Sequence, residues 1–159
     1  MMESERYYVA YGSNLNKEQM NERCPDSPQV IGTAKIMDYR LVYRKSKTGF
    51  YLTIEEARGS YVPVGIWKVS DKDEKELDVR EGCPELYKKK DITLDVVLCD
   101  DSTKTLNCFI YILGPEHEYG LPKQKYIDRC RIGYKEFGFD EAILDKAWKD
   151  TEKEVENQK

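Results

Sequence analysis

Histidine is nearly absent from this sequence, since His117 is the only one among 159 residues. A Ser-His-Asp or Cys-His mechanism would have to use it, yet it lies in segment 114–120, whose glycines and proline are typical of a loop. The five cysteines are scattered, and no two of them form a Cys-x-x-Cys pair. We therefore expect neither a metal site nor a disulfide framework, and no cofactor. Unpaired thiols favour a cytoplasmic protein.

Long apolar runs and an excess of positive charge are also missing. No apolar stretch approaches the ~20 residues that a membrane-spanning helix requires. The first six residues are polar and acidic, without the apolar segment of a secretion signal. A net charge of −4 and a pI of about 5.2 argue against general nucleic-acid binding. We expect no membrane and no nucleic acid among the partners.

The size and composition predict a folded domain. A chain of 159 residues with 40% hydrophobic and 35% charged side chains can bury a core and remain soluble. No internal repeat or linker divides it. We therefore treat 1–159 as a single domain, in which 152–159 form a charged, mobile tail.

Strand patterns dominate the chain, and helices interrupt them. The strand signals fall at 7–11, at 30–36 and 39–43 around a turn near Asp38, at 50–54 and 61–69 around a turn at 58–60, and at 87–99 and 106–113. The helix signals begin after Asn16, after Ser70, near Lys123 and near Asp140. The third signal ends at Gly138, and the last one fades after Thr151. This order predicts an α+β fold with an antiparallel or mixed sheet, and closure into a barrel is one arrangement it allows.

The segment from Tyr7 to Leu15 carries the first chemical signal. An aromatic, β-branched strand breaks abruptly into Gly12-Ser13-Asn14, and Asn16 with Gln19 then forms a helix start. Such a loop directs several backbone N–H groups at one point and attracts negative charge on oxygen. An ordinary strand-to-helix turn explains the same spacing, so the pattern alone leaves both interpretations open.

Glu81 carries the second signal. It stands at the predicted end of the helix that Ser70 begins, just before the terminating Gly82. The negative potential at a helix C-terminus raises the pKa of a carboxyl group there, and burial raises it further. A carboxylate of that kind can act as a base near neutral pH. The alternative is a solvated glutamate in a charge-rich helix.

Both signals occur together in a known family, which this chain resembles over about residues 7–137. The resemblance to the γ-glutamylcyclotransferase-like proteins rests on short segments, namely Tyr11-Gly12-Ser13-Asn14-Leu15, Val62-Pro63-Val64-Gly65-Ile66-Trp67, Leu77-Asp78-Val79-Arg80-Glu81-Gly82 with Tyr87 beyond it, and Pro122-Lys123-Gln124-Lys125-Tyr126. The resemblance implies a mixed β-barrel of about six or seven strands with peripheral helices. It also implies cleavage of a γ-glutamyl amide by cyclisation to 5-oxoproline and a free amine, without a metal.

The resemblance also assigns residues to roles. Glu81 corresponds to the catalytic base. The substrate-binding positions correspond to Tyr8, Val9, Ala10, Tyr11, Gly12, Ser13, Asn14 and Tyr126. Without the resemblance, Tyr11 and Tyr126 would be interpreted as packing residues. The partner is a small γ-glutamyl compound, with a homodimer left open as the assembly.

Two positions depart from the family pattern, and both are expected to border the pocket. Glu85 stands where the family often has glycine, and Lys123 where it usually has serine. A pocket lined by Lys123 and Lys125 would favour a substrate with additional acidic groups. The open alternatives are a γ-glutamyl amino acid or amine as substrate, deprotection of a larger γ-glutamylated biosynthetic intermediate, and a barrel that binds a small anion or a partner protein without turnover.

Overall fold

The computed structural model describes residues 6–159, so the acidic first residues considered above lie largely outside it. The strands are β1 (Arg6–Ala10), β2 (Gln29–Lys45), β3 (Phe50–Val69), β4 (Lys88–Leu98) and β5 (Thr103–Ile112). The helices are α1 (Lys17–Arg23), α2 (Asp71–Arg80), α3 (Gln124–Phe137) and α4 (Ala142–Asn157), and a short 3-10 turn (Ser13–Leu15) precedes α1.

The strands form a closed barrel in the order β1-β3-β2-β4-β5. Neighbouring strands pair antiparallel except at the closing seam, where β1 and β5 run parallel and Tyr8 lies opposite Phe109. The sheet is therefore mixed, and the α+β barrel expected from the resemblance is confirmed. Closure removes the exposed sheet edges and directs alternate side chains into a common core.

The strand count is lower than the expected six or seven, because two predicted turns lie inside long strands. β2 spans 17 residues and β3 spans 20. Asp38 has a φ of +64°, and the pairing shifts register between Met37 and Tyr39. Gly59, with a φ of +88°, lies in β3. Both positions bend their strands, yet the ladder between β2 and β3 continues on either side.

The predicted helix ends are confirmed where local signals define them. The Asn16 side chain accepts a hydrogen bond from the backbone N–H of Gln19. Ser70 and Asp73 form a reciprocal capping box at the start of α2. Gly138 ends α3 in the left-handed conformation.

The last helix is longer than its sequence pattern indicates. It was expected to fade after Thr151 but continues to Asn157, through most of the segment interpreted as a tail. Its first half packs against β2, where the Tyr43 and Trp148 rings lie 6.4 Å apart, and Glu154 reaches Arg40 at 3.3 Å. Within residues 6–159, no helix has the length and apolar character needed to cross a membrane.

Candidate active site

A cavity of about 750 Å³ opens where β1 and β5 end and β4 begins. Its inner wall consists of buried residues from several elements, among them Tyr8, Tyr11, Asn14, Leu52, Tyr87 and Tyr111. Its exposed rim comes from the β2–β3 turn, the end of α2 and the outer face of α3. The volume falls within the range of small-molecule sites.

The Gly-Ser-Asn segment forms one side of this cavity, and its conformation is fixed. The Leu15 N–H donates to the Gly12 carbonyl at 3.1 Å and the Asn16 N–H donates to the Ser13 carbonyl at 2.9 Å, which makes the 3-10 turn. The chain then enters α1 directly at the Asn16 cap.

Side chains around Asn14 form a hydrogen-bonded network. The Asn14 Nδ2 donates to Tyr8 Oη at 2.9 Å, and the Asn14 Oδ1 accepts from Gln19 Nε2 and Arg23 Nη1, both at 3.0 Å. Gln19 Nε2 also contacts Ser13 Oγ at 2.8 Å. The first helix thus holds the loop in one conformation and brings the guanidinium of Arg23 beside it.

Glu81 lies at the end of α2 with its carboxylate toward the cavity. Its backbone N–H closes the helix by donating to the Leu77 carbonyl at 2.9 Å. Gly82 then turns the chain with a φ of +61°, where a Cβ atom would lie 2.8 Å from the Leu86 side chain. Only glycine adopts this positive φ and leaves room for the Leu86 side chain without strain. The turn at Gly82 therefore fixes the position of the preceding Glu81 at the cavity.

The surroundings of Glu81 make its carboxyl group a weaker acid than an exposed glutamate. Burial raises the pKa of its carboxyl group to about 7, against a smaller lowering effect of the Arg23 cation. Within the described chain, no donor forms a hydrogen bond or ion pair with this carboxylate. Glu81 is half-buried in the wall of the cavity, rather than fully exposed like a surface glutamate, and burial is the main cause of its raised pKa.

Tyr126 reaches the same cavity from α3. The backbone N–H of Leu52 donates to Tyr126 Oη at 3.1 Å, and Tyr87 Oη donates to the Leu52 carbonyl at 3.1 Å. A Cβ atom on Gly12 would lie 3.1 Å from Tyr126 Oη, so the glycine permits the close approach of loop and ring. Burial raises the pKa of the Tyr126 hydroxyl well above its ordinary value, which keeps it protonated.

The structure brings most of the predicted site residues together. Those that line the cavity are Tyr8, Tyr11, Gly12, Ser13, Asn14, Glu81 and Tyr126. Val9 and Ala10 are buried but do not line it, and the Val9 side chain points to the face of β1 opposite that of Tyr8.

The two positions that depart from the family pattern, Glu85 and Lys123, differ in their relation to the cavity. Glu85 borders the cavity as expected. Lys123 and Lys125 are exposed and lie outside the lining, so the expectation that they line the pocket is wrong. Lys123 is the residue that precedes α3, and the α3 side chains that reach the cavity are those of Tyr126 and Arg129.

The sequence interpretation missed several lining residues. Gln19 and Arg23 are four residues apart on α1, and Arg129 is three residues after Tyr126 on α3, so helical spacing from the motif residues could have found them. Lys47, Tyr51 and Tyr111 reach the cavity only through the tertiary fold.

Among residues 6–159, no three His, Cys, Asp or Glu side chains are grouped so that they could hold a metal ion.

Fold and cavity define a small barrel protein in which the Glu81 carboxylate, without a hydrogen-bond or ion-pair partner among residues 6–159, shares a cavity with the glycine-containing loop. The family model described as "Gamma-glutamyl cyclotransferase, AIG2-like" matches residues 8–129. The chain belongs to this family.

Individual relatives agree with that assignment. The chain is 29% identical to the γ-glutamylcyclotransferase of Homo sapiens over 139 residues, covering 82% of this chain and 71% of the human protein. A solved structure of a γ-glutamyl cyclotransferase has a TM-score of 0.76 at 24% identity, covering 91% of this chain and 86% of that one. A solved structure of an uncharacterized Homo sapiens protein has a TM-score of 0.77 at 25% identity, with 91% and 87% covered.

Proposed function

We propose that this protein cleaves γ-glutamyl amides by intramolecular cyclisation, releasing 5-oxoproline and a free amine. The observation that carries the proposal is the unpaired Glu81 carboxylate, whose pKa is raised to about 7, in one cavity with the Gly12–Asn14 loop. Membership of the γ-glutamyl cyclotransferase family supports the same reaction.

Glu81 supplies the acid–base chemistry in this proposal. The α-ammonium of the substrate cannot attack until it loses a proton, and the Glu81 carboxylate accepts it. The free amine then adds to the δ-carbonyl carbon of the same molecule, forming the ring C–N bond and a tetrahedral oxyanion. When the oxyanion collapses, the bond to the leaving nitrogen breaks, and Glu81 returns its proton to that nitrogen. The ring nitrogen loses its second proton to solvent, which leaves the lactam N–H of 5-oxoproline, and the released amine takes up a proton from solvent to become an ammonium.

The walls of the cavity supply orientation and charge stabilisation. Ring closure requires a folded, near-attack shape of the γ-glutamyl chain, which a buried pocket lined by Tyr8, Tyr11 and Tyr126 can impose. The backbone N–H groups of Gly12, Ser13 and Asn14 are the proposed donors to the oxyanion. Such donors contribute ~2.7–4 kcal/mol each where one has been removed in other enzymes.

Substitution of Glu81 tests the reaction directly. Glu81→Gln keeps the shape of the side chain and removes the base, so 5-oxoproline release should fall by about 10²–10⁴-fold while substrate binding, measured by calorimetry, is retained. The wild-type kcat/KM should rise with pH up to about 7, as Glu81 loses its proton. The assay uses a panel of γ-glutamyl amides, including larger γ-glutamylated amines, to identify the leaving group.

A matched control separates the base from the loss of a charge on α2. Glu76 is exposed on the same helix outside the cavity, so Glu76→Gln should release 5-oxoproline at the wild-type rate. Normal turnover by Glu81→Gln would remove Glu81 from the mechanism. Binding without turnover by the wild type, across the whole panel, would instead favour a barrel that only binds small anions.

A further inference from the structure

The rim of the cavity is more basic than the rest of the molecule. We define the cavity mouth as the exposed lining residues, which are Lys47, Thr48, Val79, Arg80, Glu85 and Arg129. It carries three cationic side chains and one carboxylate, although the whole chain has a net charge of −4. A local surplus of cations at the entrance of a cavity attracts anionic ligands.

The cations of the mouth also lack acidic partners. Within residues 6–159, Lys47, Arg80 and Arg129 form no ion pair, and the contact of Arg129 Nη1 is with the neutral Gln19 Oε1 at 3.5 Å. Several other arginines pair closely with carboxylates, as Arg6 does with Glu74 and Arg44 with Glu55, both at 2.9 Å. The charges of the mouth are therefore not used to stabilise the fold and are available to a ligand.

The position of the mouth relative to Glu81 assigns it to one part of the substrate. The γ-glutamyl group must reach Glu81 and the Gly12–Asn14 loop in the inner part of the cavity, so the leaving amine extends toward the rim. Arg129 lies one helical turn beyond Tyr126 on α3. Lys47 lies in the β2–β3 turn near Tyr51, whose ring centroid is 5.0 Å from that of Tyr126. Lys47 and Arg129 thus come from two different elements and line the same cavity as Tyr126.

We propose that Lys47 and Arg129 bind a carboxylate carried by the leaving amine, and so determine specificity. The inference rests on the proposed function and deepens it. It selects γ-glutamyl amino acids over γ-glutamyl alkylamines, because an alkylamine offers nothing for these cations to bind. Arg80 adds to the positive potential of the mouth from the end of α2.

Two compounds of equal size test this assignment. γ-Glutamyl-alanine carries the second carboxylate, and γ-glutamyl-alaninamide replaces it with a neutral amide. Two exposed charge pairs are expected to give the acid a kcat/KM about 3- to 30-fold higher at low salt. The ratio should approach 1 in ~1 M salt, where the screening length is only ~3 Å.

Variants identify the residues responsible. In the double variant Lys47→Gln/Arg129→Gln, kcat/KM for the acid should fall more than kcat/KM for the amide, so that the acid-to-amide ratio falls to about 1. Lys125→Gln removes an exposed cation of α3 outside the lining and should leave the ratio unchanged. A wild-type ratio of 1, or a high ratio that the double variant keeps, would overturn the assignment.

Binding to the Glu81→Gln variant keeps this test separate from that of the reaction. Tighter binding of γ-glutamyl-alanine than of its amide, measured by calorimetry, supports the role of the mouth even if the wild type releases no 5-oxoproline. The absence of release would then overturn the proposed reaction alone. Equal binding of the two compounds, or no binding of either, would overturn the role of Lys47 and Arg129.

Discussion

Tyr126 and Tyr134 are two tyrosines of α3 whose hydroxyl groups meet different surroundings. Tyr126 Oη accepts the Leu52 N–H at 3.1 Å beside the cavity. Tyr134 Oη is buried and has no hydrogen-bond partner in the part of the chain that the structure describes. A buried hydroxyl without a partner costs free energy, whereas one that accepts a backbone N–H contributes to stability.

Removal of each hydroxyl should therefore have different consequences. Tyr126→Phe leaves the Leu52 N–H without its acceptor, so we expect the free energy of unfolding to fall by about 1 kcal/mol. It should also lower kcat/KM, since the hydroxyl lines the proposed substrate site. Tyr134→Phe should leave activity unchanged and stability equal or higher. Urea unfolding and 5-oxoproline release measure both effects, and equal losses from the two variants would contradict this account.

At the scale of elements, α4 is attached to the barrel by a buried threonine. Thr151 Oγ1 accepts the backbone N–H of Tyr43 in β2 at 3.0 Å and donates to the Ala147 carbonyl at 2.7 Å. Thr151 is fully buried. The barrel therefore satisfies one of its own N–H groups through a helix side chain, and the helix that was expected to fade at Thr151 is held there.

Thr151→Val keeps the shape of the side chain but leaves the Tyr43 N–H buried without an acceptor. We expect the free energy of unfolding to fall by about 1–3 kcal/mol, measured in urea. The kcat for 5-oxoproline release should not change, because α4 contributes no residue to the lining of the cavity. Thr93→Val is the control, since Thr93 lies in an exposed hydrogen-bonded pair with Asn107. A similar loss from both variants would show that the Tyr43 contact contributes little.

Elements defined by neighbouring residues could be predicted from the sequence, and those defined by distant pairing could not. The caps at Ser70 and Gly138 depend on local chemistry and were predicted correctly. Asp38 and Gly59 have positive φ, as turns often do, but pairing across the β2–β3 ladder decides that the strands continue. The extent of α4 beyond Thr151 likewise depends on contacts with β2, as between Arg40 and Glu154.

The same distinction holds for the site. The Gly12–Asn14 loop and Glu81 could be found from strand-to-helix and helix-end signals, together with the family resemblance. Lys47 could not be found in this way, because it comes from the β2–β3 turn and reaches the cavity only through the tertiary fold. Arg129 could be found by its spacing from Tyr126, and the rotation of α3 about its axis decides which of the other cations of this segment face the cavity. Lys123 and Lys125, expected in the pocket from their sequence positions, point elsewhere for that reason.

At the scale of the whole molecule, the unpaired Glu81 carboxylate makes stability depend on pH. Its pKa rises from an ordinary 4.5 in the unfolded chain to about 7 in the folded protein. The folded state therefore binds this proton more tightly than the unfolded state, and stability is lost as pH rises from 4.5 to 7. Above pH 7 both states are ionised, and the loss is complete at up to about 3 kcal/mol.

Glu81→Gln removes this titration from the protein. The stability of the variant relative to the wild type should therefore increase between pH 5 and pH 7 and stay constant from pH 7 to pH 8. Any fixed cost of burying the amide is the same at every pH and cancels in this comparison. Urea unfolding at pH 5, 7 and 8 measures the difference, with Glu76→Gln as the exposed control. A difference that does not change with pH would show that folding leaves the pKa of Glu81 unshifted. The proposed mechanism would then lack a base whose pKa lies near 7.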